Sequence, residues 1–432
     1  MPSDIPTLSQ AHVTWRWKIL LSTYFGYAGF YLTRNVFSVC KTTLAEDFHV
    51  TLHEIAHLGS AFLIAYCIGQ FLVSGFGRRA SARVLLITGL GASIVVSMLF
   101  GIQNSYWTFM LLMFVNGLVQ AMGWPGSVGA VAEWLRPQER SLVMGLWSTN
   151  LIVGNMTVKA LSGWLLGHYG WRAAYFGCAL LSLITWFFLL VCQRDRPADV
   201  GLRPLIQDNE GARRPVRVSN APHLAFSDFL LIVKNPIVIL MALSYFCVKF
   251  LRYSIDSWLP TFFQYQGLEK AQSAYWATIC DLAGIPGMVL TGWIVTRWFR
   301  GNWAIICVLL GIGMALGYRK LTTLGPDPLA IAFCYGLIGF MVLSADSLLK
   351  GFASIQVAGE RNGAAVAGIV NGVASISPVL QEEIIGYWMD MGTVGIRLAN
   401  ALSLGMTIFF IFAMSLMLWQ SHRQGRLAFS TV

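Results

Sequence analysis

Residues 245–261 read Tyr-Phe-Cys-Val-Lys-Phe-Leu-Arg-Tyr-Ser-Ile-Asp-Ser-Trp-Leu-Pro-Thr. They lie within an apolar segment, 236–264, that is long enough to cross a bilayer as a helix. Lys249, Arg252 and Asp256 follow one another at spacings of three and four, which places them on one helical face. Because a charge in hydrocarbon is costly, such a face indicates either a functional site or a helix-helix ion pair.

Composition predicts an all-α membrane protein. Of the 432 residues, 56% are hydrophobic and 12% are charged, and the mean hydropathy is +0.62. The net charge of +10 does not indicate nucleic-acid binding, because the basic residues are spread over short loops. The eight dispersed cysteines have no metal or redox spacing. We expect no enzyme, no cofactor and no metal site, although His53 and His57 share a helical face at a membrane edge.

Apolar runs of spanning length predict twelve transmembrane helices. A polar, basic, proline-containing linker, 194–235, separates an N-terminal six-helix half (1–193) from a C-terminal half (236–432). The predicted spans are 17–39, 54–76, 83–102, 106–134, 141–167, 171–193, 236–264, 272–297, 303–322, 328–350, 362–390 and 395–419.

The distribution of basic residues predicts the orientation. With both termini inside, the inner loops hold 19 Lys and Arg residues and the outer loops hold 6, Lys41 among them. This imbalance predicts cytoplasmic termini and a multi-pass protein of the inner (cytoplasmic) membrane. Six plus six spans with a basic cytoplasmic linker resemble the layout of major-facilitator transporters, whose halves rock around a central substrate.

A second intramembrane arginine, Arg34, lies within the first span. The first and seventh helices occupy equivalent places in the two halves, so we expect Arg34 and Arg252 to face one another across a central cavity. Two such cations repel each other, and an anionic ligand would relieve the repulsion. Arginine suits this role because its planar fork binds a carboxylate or phosphate through two hydrogen bonds. Structural ion pairing remains the alternative.

Other ionisable residues within the later spans form, with Asp256, a predicted coupling or charge network: Asp281, Asp346, Lys350, Glu382 and Glu383. The i,i+4 spacing of Asp346 and Lys350 favours mutual neutralisation. Asp281 is expected to pair with Lys249 or Arg252, or to bind a coupling proton. One of the two adjacent glutamates is expected to face the cavity, where a carboxyl group in low dielectric is a candidate for proton coupling.

Several motifs resemble those of the organophosphate:phosphate antiporters of the major facilitator superfamily, which include glycerol-3-phosphate, hexose-phosphate and glucose-6-phosphate transporters. The matching segments are 252–260 (RYSIDSWLP), 283–287 (AGIPG), 299–302 (FRGN), 116–118 (NGL), 123–125 (GWP) and 197–202 (PADVGL). The resemblance runs from the first span to the twelfth. It implies that Arg34 and Arg252 grip the phosphate of the substrate, and that Asp281 stands where the family has a glutamate.

The chain also departs from this family at several positions. Gln70 replaces a lysine of the second helix, Asn35 replaces a lysine beside the first-helix arginine, and Leu151 falls near a histidine of the fifth helix. Gly77 replaces a signature aspartate, and Ala345-Asp346 stands where relatives have Gly-Pro. The predicted cavity therefore has less positive charge and more carboxylates than that of the family.

These observations predict a secondary active transporter of a small organic anion that works by alternating access. Organophosphate exchange for phosphate, proton-coupled import of a non-phosphate anion such as a polycarboxylate, and sensing of an external sugar phosphate all stay open. We expect a monomer in the lipid bilayer, with phosphate or a proton as coupling ion. The predicted substrate-binding residues are Arg34, Arg252, Gln70, Asn35, Tyr31, Tyr253 and Lys249.

Overall fold

All regular elements of the described residues are helical, which confirms the all-α fold class. In chain order the α-helices include α1 (Gln10–Arg34), α2 (Val36–Phe48), α3 (Leu52–Phe76), α4 (Ala82–Ile102), α5 (Tyr106–Gln120), α6 (Gly123–Ala132), α7 (Asn150–Cys192), α8 (Pro236–Tyr265), α9 (Lys270–Ala277), α10 (Ile279–Arg297), α11 (Trp303–Leu321), α12 (Pro328–Ser347), α13 (Ser377–Met389) and α14 (Thr393–Arg423). The computed structural model describes residues 9–76, 81–136, 139, 143–144, 146–203, 235–299, 302–325, 327–352, 366 and 368–423.

The chain divides into two compact units. The first comprises Met1–Val36 and Ala61–Val218, and the second comprises Phe37–Ser60 and Ser219–Val432. Almost all of α2 and the first turns of α3 therefore belong to the second unit. The division into halves by chain order stays a prediction, and most of the predicted linker, from 204 to 234, lies outside the described residues.

Polar caps begin several of the helices. The Ser81 side chain accepts a hydrogen bond from the backbone N–H of Val84 at 3.2 Å and so caps α4. Asn235 caps α8 in the same way, and Pro236 follows at the first helical position, where its missing N–H has no cost. These local signals explain why the predicted start at 236 coincides with the observed one.

In the first unit, α1 and α4 both pack along the long helix α7. Gly154 permits the close approach of α1, because a Cβ atom there would lie 3.0 Å from both Ala28 Cα and Tyr31 Cβ. A break at Gly170, with φ of 83° and ψ of 176°, divides α7 into two helices. This backbone conformation is open to glycine and strained for other residues. The break falls between the predicted spans 141–167 and 171–193.

In the second unit, α10 packs against α12, while α8 and α11 pack against α14. The core between them contains large buried rings, such as those of Tyr245, Trp258 and Trp303. Helix α12 continues into a π-helical turn, Leu348–Phe352. Such π turns often occur at functional sites, and this one contains Lys350 of the predicted charge network.

Within the described residues, nine helices are long and apolar enough to cross a membrane. They correspond to ten of the twelve predicted spans, because α7 accounts for two of them. The first predicted span is interrupted at Asn35, where α1 ends before α2 begins. For the eleventh, the described residues include only the 13-residue helix α13 and a helical stretch at 368–374. The number twelve and the side of the termini stay predictions.

Candidate functional site

Arg34 ends α1 and lies against three aromatic rings of the first unit. Its guanidinium carbon is 4.6 Å from the ring centre of Tyr66, 5.3 Å from that of Phe62 and 5.5 Å from that of Tyr31. Phe62 and Tyr66 are four residues apart, so they project from one face of α3. A ring face attracts a cation without cancelling its charge. The three rings therefore hold Arg34, which is half-buried, as a cation.

A buried polar network fixes the end of α1 that carries Arg34. The Thr33 and Ser93 hydroxyls lie 2.8 Å apart, and Ser93 donates to Asn116 Oδ1 at 2.7 Å. Gln120 Nε2 donates to the carbonyl of Phe30 at 3.0 Å. Because these side chains are buried and hydrogen-bonded, they tie α1 to α4 and α5 and orient the last turn before Arg34.

Two residues predicted to bind substrate make hydrogen bonds within the first unit. Asn35 Nδ2 donates to Asn155 Oδ1 at 2.6 Å. Its backbone N–H donates to the carbonyl of Tyr31 at 2.9 Å and so ends α1. Gln70 Nε2 makes a longer hydrogen bond, 3.4 Å, to the carbonyl of Ala121. Both side chains are half-buried, and their substrate role stays a prediction.

Arg252, in the second unit, lies between two carboxylates. Its Nη1 donates to Asp346 Oδ2 at 2.9 Å, and its Nε is 3.6 Å from Asp256 Oδ2. Tyr245 donates its hydroxyl to Asp346 Oδ1 at 3.3 Å. The Asp346 side chain is 7% exposed and that of Arg252 is 16% exposed. The structure thus gives Asp346 a partner on another helix, which the spacing between Asp346 and Lys350 did not indicate.

Lys249 lies one turn before Arg252 on α8 and contacts polar groups. Its Nζ donates to Asn371 Oδ1 at 2.8 Å and to Ser375 Oγ at 3.0 Å, and it lies 5.3 Å from the ring centre of Tyr245. Tyr253, the next predicted ligand, is half-buried on the same helix. The face predicted from the spacing of Lys249, Arg252 and Asp256 therefore forms part of a polar cluster in the second unit.

The remaining members of the predicted charge network lie on three further elements of the second unit. Asp281 is buried, 4% exposed, in the first turn of α10. Lys350 lies in the π-helical turn that follows α12. Glu382 is buried at 2% exposure, whereas its neighbour Glu383 has a side chain that is 32% exposed. Pairings of Asp281 with Lys249 or Arg252, and of Asp346 with Lys350, stay predictions.

Lys41 was predicted in an outer loop, and the structure corrects this placement. It lies on α2, fully buried, where its Nζ forms an ion pair with Glu382 Oε1. Lys41 also donates to Ser257 Oγ at 2.7 Å and lies 3.4 Å from the ring centre of Trp258. Ser257 and Trp258 in turn donate to Glu382 Oε2 at 2.8 and 3.0 Å. Helix α2 continues beyond the predicted span end at 39, which is why this lysine enters the core.

Glu383 faces the other side of α13 and contacts two histidines of α3. Its Oε2 lies 2.8 Å from His57 Nδ1 and 3.6 Å from His53 Nε2. The two imidazole rings are 4.6 Å apart between centres. The shared face of His53 and His57 was visible in the sequence. Their contact with Glu383 was not predicted, because Glu383 is more than 300 positions away.

Residues 23–382 match the family described as Major Facilitator Superfamily, which is most of the chain. The chain belongs to the Major Facilitator Superfamily. Its members are transporters rather than enzymes, so the prediction that this protein is not an enzyme is confirmed. Membership also confirms a multi-pass membrane protein with the major-facilitator fold.

Two named relatives are similar to this chain over most of its length. The chain is 26% identical to the membrane sensor protein UhpC of Salmonella typhimurium, over 85% of this chain and 86% of that protein. It is 27% identical to the glycerol-3-phosphate transporter of Bacillus subtilis, over 90% and 89% of the two chains. These relatives confirm the resemblance to the organophosphate:phosphate antiporter family.

A solved structure supports the fold independently of sequence. The crystal structure of a bacterial homologue of the human lysosomal transporter Spinster superimposes with a TM-score of 0.70 and 15% identity. The match covers 96% of this chain and 98% of that one. Identity this low carries information about the major-facilitator fold and none about substrate.

Proposed function

We propose that this protein is a secondary active transporter of a small organic anion in the cytoplasmic membrane, and that it exchanges an organophosphate for phosphate. Arg34 and Arg252 bind the anionic group of the substrate. Tyr31, Asn35, Gln70, Lys249 and Tyr253 are the further proposed ligands, and the protein acts as a monomer by alternating access.

The observation that carries this proposal is a half-buried arginine within the apolar helices of each compact unit. An intramembrane arginine normally marks a substrate or ion pathway. The Arg34 guanidinium packs against the rings of Tyr31, Phe62 and Tyr66. The relative named as a glycerol-3-phosphate transporter supports a phosphorylated ligand. A guanidinium binds phosphate through two parallel hydrogen bonds, which fits that chemistry.

The test is uptake into proteoliposomes loaded with phosphate, using labelled glycerol phosphate, sugar phosphates and polycarboxylates. We expect uptake of a phosphorylated compound that depends on internal phosphate and is lost in Arg34→Ala and Arg252→Ala. Insertion of both variants is checked by size-exclusion chromatography. Uptake that ignores internal phosphate, or that persists in either variant, would contradict the proposal.

Proton-coupled import of a non-phosphate anion is the second candidate, and the Arg252–Asp346 ion pair favours it. The carboxylate competes with an anionic substrate for the same guanidinium. Protonation of Asp346 would remove the competitor and so link substrate binding to a proton. An inward proton gradient that accelerates uptake of a polycarboxylate, with no internal phosphate, would support this candidate.

Sensing of an external sugar phosphate is the third candidate. Its support is the similarity to a protein named as a membrane sensor. Saturable binding of a sugar phosphate without any uptake would favour it over both transport candidates.

A further inference from the structure

Three metal-ligand side chains meet where the start of α3 packs against α13, both within the second unit. His53 Nε2 or Nδ1, His57 Nδ1 or Nε2 and a Glu383 carboxylate oxygen can be chosen so that all three donor atoms lie within 4.8 Å of one another. Around a tetrahedral zinc ion with bonds of about 2.0–2.1 Å, neighbouring donors lie about 3.3 Å apart. Small side-chain rotations would therefore bring this set to ligand distances.

The spacing of the two histidines suits a shared ion. His53 and His57 are four residues apart on α3, so both imidazoles project from the same helical face. Zinc-binding helices with two histidines at i and i+4 use the same arrangement. Glu383 supplies an oxygen donor from the neighbouring helix, so the site spans two elements rather than one.

The backbone that carries these ligands is well fixed. The Asp390 carboxylate, just after α13, accepts hydrogen bonds from the backbone N–H groups of Leu52 at 2.7 Å and His53 at 3.2 Å. Ala56 and Gly386 meet where the two helices approach closely, which leaves no space for a side chain at residue 386. The rings of Tyr387 and His53 also pack edge to face, with centres 5.4 Å apart.

The cluster is open to an ion and offers two nitrogens and one oxygen. The side chains of His53, His57 and Glu383 are 35%, 41% and 32% exposed. Imidazole donors select zinc, copper, nickel or cobalt, whereas calcium and magnesium prefer oxygen donors. Three protein ligands leave the fourth tetrahedral position to water.

We propose that His53, His57 and Glu383 form a zinc-class metal site whose occupation clamps α3 to α13 and slows transport. The second half of this proposal rests on the proposed function. Helix α3 belongs to the second predicted span and α13 to the eleventh, so on the predicted division into two halves alternating access moves these two helices against each other. An ion that ligates both helices holds them in one arrangement.

Binding is tested first, because it does not depend on transport. Purified full-length protein without a polyhistidine tag is titrated with Zn²⁺ by calorimetry in detergent, with Mg²⁺ as the comparison ion. We expect one saturable Zn²⁺ site, weakened about 100-fold or more in His53→Ala, His57→Ala and Glu383→Gln. His168→Ala is the control, because His168 is an exposed helical histidine that bonds its own helix at the carbonyl of Trp164.

The outcomes separate the two halves of the proposal. Absence of saturable binding, or equal affinity in the wild type and His57→Ala, would overturn the site. Zn²⁺ should then slow transport by the wild type, a chelator should restore it, and His57→Ala should be insensitive. Binding with unchanged transport would overturn the clamp alone. A protein that binds Zn²⁺ at these residues but moves no anion would instead refute the proposed function and leave the site standing.

Discussion

The two intramembrane arginines are held by different chemistry. Arg34 lies against the rings of Tyr31, Phe62 and Tyr66, whereas Arg252 lies against the carboxylates of Asp256 and Asp346. Ring faces attract the cation and do not compete for it as an anion would, whereas carboxylates compete directly with an anionic ligand. The two positions are therefore chemically unequal, and substitutions at each should differ in their effects.

Replacement of either arginine by lysine should reduce substrate uptake. Lysine keeps the charge but loses the planar fork and so one of two charge-assisted hydrogen bonds, each worth about 1.5–3 kcal/mol. We expect uptake by Arg34→Lys and Arg252→Lys to fall roughly 10- to 100-fold. The measurement is initial uptake rate in proteoliposomes. Arg319→Lys, which changes an exposed arginine at the end of α11, is the control and should transport normally.

Loss of an aromatic contact of Arg34 should have a smaller effect than substitution of the arginine itself. Tyr66→Phe keeps the ring 4.6 Å from the guanidinium and should bind substrate normally. Tyr66→Ala removes the ring, which is worth about 0.5–2 kcal/mol, and should weaken apparent affinity roughly 2- to 30-fold. Substrate concentration curves for both variants check this. Equal losses in the two would mean that the hydroxyl matters and the ring does not.

At the scale of helices, the sequence predicted those helix bounds that neighbouring residues determine. Long apolar runs placed α8 and α11 almost at their observed bounds, and in the structure Asn235-Pro236 and Asn302 start these helices. The end of α1 at Asn35 had no such signal, and the continuation into α2 moved Lys41 from a predicted loop into the core.

In the candidate site, too, the sequence predicted local arrangements but not contacts between distant residues. The spacing of Lys249, Arg252 and Asp256 sufficed to place them on one face of α8, since helical periodicity is local. The contact between Arg252 and Asp346 joins residues 94 positions apart, and that between Lys41 and Glu382 joins residues 341 apart. Such pairs depend on how helices pack, which a single sequence does not encode in any short pattern.

The buried ion pair between α2 and α13 yields a stability prediction. Lys41→Met leaves the Glu382 carboxylate buried without its cation, which should lower the free energy of unfolding by about 3–5 kcal/mol. Lys41→Met combined with Glu382→Gln removes both charges and should recover most of that loss. Thermal unfolding in detergent provides the measurement.

A surface ion pair of the same unit serves as the control for that experiment. Lys270 Nζ lies 2.6 Å from Glu46 Oε2, and the side chains of Lys270 and Glu46 are 36% and 65% exposed. Lys270→Met should change stability by less than about 1 kcal/mol, because solvent screens exposed pairs. A Lys41→Met variant as stable as Lys270→Met would show that the buried pair contributes nothing net.

At the scale of the whole molecule, a transporter must link substrate binding to a second solute. In the major-facilitator architecture, substrate and coupling-ion sites lie near the bilayer midplane. Among the described residues, Asp346 is a carboxylate that bonds Arg252 directly. A carboxylate beside the proposed substrate arginine is therefore a candidate for linking substrate binding to a proton.

Asp346→Asn tests this coupling. The amide cannot ionise, so Arg252 should no longer be held by a competing negative charge. Under proton-coupled import, wild-type uptake rises as external pH falls into the acid range where carboxylates protonate and Arg252 is released, and Asp346→Asn shows a flatter profile. Asp327→Asn, at the N-cap that precedes α12, keeps a capping side chain and is the control. Identical pH profiles for wild type and Asp346→Asn would exclude Asp346 from coupling and leave phosphate exchange as the better account of the cycle.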